Sequence, residues 1–332
     1  MYKQDITIYD VAREAKVSMA TVSRVVNGNN NVRKETRERV LAVIKRLNYQ
    51  PNAVAQGLAS KKTTTVGLVV PELTNLHFAE LSKGIDDIAT MYKYNIILTS
   101  VENKMVSDES VIQNLLNKQV DGVIYMADEM SPQAREVFLR NNTPVVLAGT
   151  VSLNGEFDRV SIDYKEAEKD AFDLIYRDGK TRLGLVISNP EVAINKKRID
   201  AYREILTEKE WDKEYIYSGL ASYEDGYNLA NKLIADEIDG VVVTSDLVAA
   251  GIIHGVMDRG IKVPEDFEVI SAVSTNISKV MRPTLTVVQQ PLYDIGAVAM
   301  RMLTKLMNKE ELDEKHVTLP YKIDKKNSTL NK

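Results

Sequence analysis

Few residues in this chain are able to do covalent or metal chemistry. There is no cysteine, and the three histidines, His77, His254 and His316, lie far apart with no HExxH or HxH spacing. Thiolate nucleophiles, Cys-ligated zinc and iron–sulfur clusters are thereby excluded, and neither a metal site nor a cofactor is expected. No GxxxxGK[ST], GxGxxG or GxSxG segment offers a phosphate cradle or a nucleophile turn. The acidic neighbours Asp86-Asp87 and Glu310-Glu311 diverge by about 100° on a helix and are poorly placed to share a substrate. His254, in GIIHGVMD, reads as a core helix residue rather than a general base. What remains is charge. Residues 1–62 carry 12 Lys/Arg against 5 Asp/Glu, a net +7, while the rest of the chain carries 31 against 42, a net −11. A small basic module attached to an acidic body points to a polyanion bound at the N-terminus, because phosphate neutralisation needs clustered cations.

The elements that would position these cations follow from periodicity. TIYDVAREAKVSMATVSRVVNG (7–28) predicts two short helices around a tight turn, with Thr7 and Asp10 as a variant capping box and Ser18 as the second N-cap. Val22, Val25 and Val26 turn one stripe inward and leave Met19, Ala20, Ser23 and Arg24 at or near the surface. A third helix over about 34–47 places Val40, Ile44 and Leu47 on one face, with Arg33, Lys34, Arg37, Arg39, Lys45 and Arg46 mostly outside. Three helices in some 45 residues, the second with small and polar residues outward, fit a helix-turn-helix DNA reader. Pro51 ends the third helix, and Asn52 could cap a two-turn helix carrying Leu58, an apolar residue with no evident core. That predicts order acquired on DNA or on a dimer mate.

At 332 residues the chain has room for two or three domains. Its apolar fraction of 44% and charged fraction of 27% exclude wholesale disorder. No apolar run approaches the length needed to span a bilayer, and the first twenty residues lack a signal-peptide apolar region, so a cytosolic protein is expected. From residue 63 onward, apolar runs at 65–70, 95–100, 122–126, 144–148, 182–187, 240–244 and 267–272 alternate with amphipathic helices, which predicts parallel sheets wrapped by helices. The body also repeats itself. Val66–Val70 is echoed by Leu183–Ile187, and Val120–Ile124 by Ile238–Val242, at offsets of 117 and 118 residues. Two similar α/β lobes are expected, with ligand sites at the strand carboxyl ends or between lobes.

TIYDVAREAKVSMATVSRVVNG, NYQPNAVAQGLA and the duplicated body, in that order, resemble the lac repressor family over the whole chain. The resemblance implies an α/β fold class with an N-terminal three-helix helix-turn-helix DNA-binding domain (1–50) and a hinge helix and linker (51–62). Behind them it implies a two-lobed, periplasmic-binding-protein-like body of parallel sheets, with one lobe from 63–162 and 290–319 and the other from 163–289 and 320–332. It further implies a homodimer on a palindromic double-stranded DNA operator. Met19, Ala20 and Arg24 would face base edges, and Tyr9, Ser18, Thr21, Asn27, Thr36, Tyr49 and Asn52 would mainly hold phosphates. Ala55 and Leu58 would enter the minor groove, Leu58 as a wedge. The usual sugar-binding groups of the family are mostly absent: Gly149 stands where an aspartate is expected, Ser245 where an asparagine is, and Val273 and Ser274 replace an Asp-Asp or Asp-Asn pair. Arg198 is retained, which leaves an anion or another small ligand as an alternative effector.

DIATMYKYNIIL (87–98) and QPLYDIGAVAMRMLTKLMNKE (290–310) resemble more narrowly the catabolite-control regulators of low-GC Gram-positive bacteria, whose corepressor is the phosphocarrier protein HPr phosphorylated on a serine. Helical geometry is compatible with a docking face there. Asp294, Val298, Arg301 and Lys305 fall within an arc of about 60°, opposite a core arc containing Ile295, Ala299, Met302, Leu303 and Leu306. Arg301 and Lys305 would converge on the phosphoryl group, with Tyr293 and Asp294 beside it. Leu81, Gly84 and Asp87 on the helix after the first strand are further contact candidates. The rival classes are an enzyme, a periplasmic solute-binding protein, and a repressor answering to an ordinary small molecule. With no long heptad tail to support a tetramer, a dimer is the expected assembly.

Overall fold

A computed structural model describes residues 6–330 except 27, 30, 51–61, 102–106, 128–129 and 152–154. The chain divides between Thr64 and Thr65 into two compact units.

The first unit holds α1 (Ile8–Ala15), α2 (Met19–Val26) and α3 (Lys34–Leu47). Asp10 receives the Thr7 backbone N–H at 3.0 Å and the Thr7 hydroxyl at 2.7 Å, fixing the start of α1 and holding the Asp10 carboxyl below its ordinary pKa. Lys16, in the left-handed conformation, ends the helix. Two residues later the Ser18 hydroxyl accepts the Thr21 N–H at 3.2 Å and opens α2. Val11, Ala12, Ala15, Val22, Val25, Val40 and Val43 close a small core. On α3 the enclosed pair is Val40 and Val43. Ile44 and Leu47, assigned to the inner face from spacing, are half-buried at its edge.

The second unit is built on two six-stranded sheets. One has the order β11-β5-β4-β3-β1-β2, from β1 (Thr65–Val70), β2 (Asn95–Ser100), β3 (Gly122–Tyr125), β4 (Val145–Ala148), β5 (Asp158–Ser161) and β11 (His316–Thr318). The other has the order β12-β10-β9-β8-β6-β7, from β6 (Leu183–Val186), β7 (Ile216–Tyr217), β8 (Gly240–Val243), β9 (Glu268–Ser271), β10 (Thr286–Gln289) and β12 (Lys322–Asp324). All ladders are parallel except β10 with β12. The repeat read from the sequence has a physical meaning here: β1 pairs with β2 and β3 as β6 pairs with β7 and β8. Val66, Leu68 and Val70 face one core, as do Leu183, Leu185 and Ile187, while Val69 and Val186 face the helices on the other side.

The first sheet carries α4 (Leu76–Met91), α5 (Asp108–Leu116) and α6 (Pro132–Asn141). The second carries α7 (Tyr164–Arg177), α8 (Ala193–Glu208), α9 (Tyr223–Ala235), α10 (Asp246–Met257) and the short α11 (Asn276–Val280). After β10 the chain returns to the first sheet as α12 (Leu292–Met307), which packs on α4 and on β3, β4 and β5. The backbones of α4 and α12 approach so closely that a Cβ added at Gly84 would lie 2.0 Å from the Tyr293 carbonyl oxygen. One added at Gly296 would lie 2.1 Å from that of Leu81. Short, polar or edge strands such as β5, β7, β11 and β12 carry too little apolar signal to be read from spacing.

Candidate DNA interface, inter-lobe cleft and docking face

In the first unit, packing of α2 by Val22 and Val25 turns its opposite side outward. Met19, Ala20 and Arg24 are exposed together, as are Ser18 and Tyr9. The Ser18 hydroxyl also meets that of Thr21 at 2.9 Å, so the two share one proton network at the N-terminus of α2. Thr21 and Thr36 are half-buried. Tyr49 packs against the small core, and burial raises the pKa of its phenol. Arg46 is paired with Glu14 at 2.7 Å, and the Arg37 guanidinium donates to the Asn29 carbonyl. Among the described residues of this unit, Arg24 and Arg33 on either side of the turn after α2 have no ion pair, which leaves them available to a polyanion. Asn27, Asn52, Ala55 and Leu58 lie outside the described residues.

The second unit holds a cleft of about 560 Å³ at the carboxyl ends of the strands of both sheets. Its single buried cation is Arg198 among the described lining residues, 7% exposed. The Arg198 guanidinium donates to the Asn195 side-chain oxygen at 3.1 Å, lies 5.6 Å from the centre of the Tyr164 ring and stands 3.5 Å from the Glu168 carboxylate. Burial pushes the Glu168 carboxyl up to about 7 against the pull of Arg198, and one of its oxygens has no hydrogen-bond partner. Burial, reinforced by Arg198, pulls the His77 imidazole down to about 4. Gly149 has φ +69°, and a Cβ there would meet Leu81 Cδ1 at 2.7 Å, so an aspartate in its place is strained twice over. The Ser245 hydroxyl caps α10 by accepting the Val248 N–H at 3.4 Å. A sugar entering this cleft would find few of the carboxylates that hydroxyl groups need.

Spacing missed Glu168, Tyr164, His77 and Asn195. The signal for Glu168 was present: it occupies the same helical stripe as Tyr164, Ala167, Ala171, Phe172 and Ile175, where a carboxylate is out of place.

On α12 the core arc is filled by Ile295, Ala299, Met302 and Leu303, with Leu306 half-buried beside them. The opposite side exposes Tyr293, Asp294 and Arg301, and Val298 is half-buried between the two. The Tyr293 hydroxyl donates to Asp87 Oδ2 at 3.0 Å, joining α12 to α4; that bond chiefly raises the phenol pKa. Lys305 Nζ meets Asp313 Oδ2 at 2.8 Å. Arg301 has no carboxylate at ion-pairing distance among the described residues. Leu81 and Gly84, named as contact candidates from the sequence, are enclosed where α4 meets α12, so they offer no surface to a partner and act as packing residues.

Residues 7–52 match the model for bacterial regulatory proteins of the lacI family, and residues 172–329 that for a periplasmic binding protein-like domain. Over 333 aligned residues the chain is 62% identical to the HTH-type transcriptional regulator pepR1 of Lactobacillus delbrueckii subsp. lactis, covering all of both chains. It is 49% identical to catabolite control protein A of Streptococcus mutans, over 98% of each. A crystal structure of the lac repressor dimer bound to operator superposes with a TM-score of 0.89 at 24% identity, over 98% of this chain and 100% of that one. The basic helix-turn-helix unit and the two-lobed body are therefore the parts of a regulator: the chain belongs to the lacI family of bacterial DNA-binding transcription regulators and is related to catabolite control protein A.

Proposed function

We propose that this regulator acts in carbon catabolite control, binding a palindromic operator as a homodimer with serine-phosphorylated HPr as its corepressor. The observation that carries the reading is the outer side of α12, where an unpaired Arg301 stands one turn from Lys305 beside the Tyr293–Asp87 bond. Two cations at that spacing suit a phosphoryl group, which brings a charge of about −1.5 to −2 and three acceptor oxygens. Apolar side chains left exposed on the second unit outside the cleft lining, among them Leu73, Leu98 and Val280, offer surface for the dimer. Docking would shift the lobes and favour the DNA-bound arrangement, for which a coupling of about 1–3 kcal/mol suffices. In the same reading Arg24, with Met19 and Ala20, contacts base edges; Tyr9, Ser18, Thr21, Asn27, Thr36, Tyr49 and Asn52 hold phosphates; and Ala55 and Leu58 contact the minor groove.

The test is fluorescence anisotropy of a palindromic operator at fixed salt, with the protein alone and with unmodified or serine-phosphorylated HPr. Tightening by the phosphorylated form alone is expected, and equal effects of the two forms sink the reading. Arg24→Ala is expected to cost about 1–3 kcal/mol on the operator and to relax its sequence preference. A uniform loss on all DNA would make Arg24 a phosphate contact instead. A second reading rests on Arg198: a buried guanidinium at a 560 Å³ cleft suits a small anionic effector. Operator affinity that responds to a small anion and not to HPr would favour it.

A further inference from the structure

The two cations of the docking face are not in the same state. Arg301 has no ion-pair partner among the described residues, whereas Lys305 holds the Asp313 carboxylate at 2.8 Å. Asp313 is 93% exposed at its side chain, so nothing buries it there; the ion pair is its contact. Each group shifts the other, the bond to Asp313 raising the Lys305 pKa and the bond to Lys305 lowering that of Asp313.

The position of Asp313 is nevertheless determined by the fold. The helix ends with Lys309 in the left-handed conformation and the Glu310 N–H donating to the Lys305 carbonyl at 2.9 Å. Three residues beyond Lys309, Leu312 is half-buried against the main core. Cap and anchor together aim the next residue back at the last turn of α12, and Glu310 adds negative potential at the same ammonium.

We infer that Asp313 is an internal competitor for the phosphoryl site: its carboxylate occupies Lys305 in the unliganded chain and is exchanged for the partner's phosphoryl group on docking. The inference rests on the docking reading above. A phosphoryl group carries more charge than a carboxylate and engages Arg301 at the same time, so it displaces Asp313. An unmodified serine hydroxyl brings no charge and leaves the pair closed. The pair is exposed, so the exchange is easily made, and its effect on affinity is a matter of several-fold rather than orders of magnitude. Asp313 thereby weakens the docking of every anion while letting a dianion through, which makes it a residue that tunes the response to the phosphorylated partner.

The experiment is calorimetric titration of the full-length protein with serine-phosphorylated and unmodified HPr, using the unsubstituted chain, Asp313→Ala, Lys305→Ala, the double variant and Arg301→Ala. Asp313→Ala should bind the phosphorylated form about three- to tenfold tighter and leave the unmodified form unchanged, and the gain should vanish when Lys305 is already alanine. If the unsubstituted chain binds the phosphorylated form and Asp313→Ala binds it equally well, Asp313 is a bystander and the inference fails alone. A gain that survives in the Lys305→Ala background also overturns it, because Asp313 then acts by simple repulsion. If the unsubstituted chain binds neither form, the docking reading itself has failed, and the inference falls with it.

Discussion

Two helix pairs in the second unit are joined by the same device and differ in what they do with their outer sides. In the first lobe, α4 and α12 meet through Gly84 and Gly296; in the second, α9 and α10 meet through Gly226 and Gly251, where an added Cβ would lie 2.2 Å from the Val248 carbonyl and 2.1 Å from that of Tyr223. Outside the second pair several polar groups are taken up by partners on the pair itself or on the residues that follow it. The Tyr223 hydroxyl meets His254 Nδ1 at 2.9 Å, Tyr227 donates to Asp258 at 2.9 Å, and Arg259 donates to the Gly255 carbonyl at 2.6 Å while lying over the Tyr227 ring. Outside the first pair, Arg301 is left without an ion pair and Lys305 has only an exposed carboxylate. Equal packing with unequal closure leaves Arg301 without an ion pair among the described residues, beside a helix seam that its side chain does not build, while Lys305 is held only by Asp313.

The largest effect should come from breaking the shared device. Gly84→Ala and Gly251→Ala each force two helix backbones apart, at a cost of about 3 kcal/mol or more, read from chemical denaturation. The two should destabilise alike, yet Gly84→Ala should also displace Tyr293 and so weaken binding of the phosphorylated partner, which Gly251→Ala should leave within about twofold. If both variants weaken that binding equally, the docking surface extends across the lobes.

Next in size is the contrast between the two arginines. Arg301→Ala should reduce affinity for serine-phosphorylated HPr by about thirtyfold or more, the loss of a charge-assisted contact, with the melting temperature unchanged. Arg259→Ala should do the reverse, lowering the melting temperature by roughly 2 °C and leaving partner affinity intact. A melting temperature that falls with Arg301→Ala would return α12 to a purely structural role.

How much of this was legible before folding depends on how local the signal is. The capping box at Thr7 and Asp10, the inward valines of α2 and the core arc of α12 all follow from spacing within one helix, and the structure keeps them, with Val26 and Leu306 half-buried at the edge rather than enclosed. The repeat at offsets of 117 and 118 was legible because both copies must bury the same alternating faces. The closing strands β11 and β12 are three residues each, polar and at sheet edges, so their pairing comes from tertiary context alone. Leu81 is a contact candidate on the resemblance alone; its apolar helical stripe reads as core but does not say which neighbour covers it, and α12, more than 200 residues away in sequence, does. Asp313 has no signal at all, since an aspartate in an acidic loop looks solvated until the helix cap and Leu312 aim it at Lys305.

The smallest predicted effect separates the lobes by their buried acids. Glu168 and Glu268, the carboxyls that burial pushes up to about 7 among the described residues, both belong to the second lobe. Glu268 lies on β9 beneath the C-terminal segment and accepts the Leu330 N–H at 3.1 Å. Its second oxygen has no partner, and Asp178, Lys180 and Lys325 surround it. A folded-state pKa above the ordinary 4.5 means that the folded chain binds this proton more tightly than the unfolded one. Stability from this group is therefore full below about pH 4.5, falls as pH rises toward 7, and is level above that. Glu268→Gln keeps an acceptor for Leu330 and removes the titration, so its unfolding free energy should lose a slope on the order of 1–2 kcal/mol across that window. Glu168→Gln should flatten the same window but lower stability above about pH 7, where the ionised Glu168 is the counter-charge of the buried Arg198. Denaturation curves at pH 5, 6, 7 and 8 distinguish the two. An unchanged slope in Glu268→Gln would mean that Glu268 is already ionised across this range and that the C-terminal segment is held by Ser328 and Thr329, which bond β9 and β10 directly.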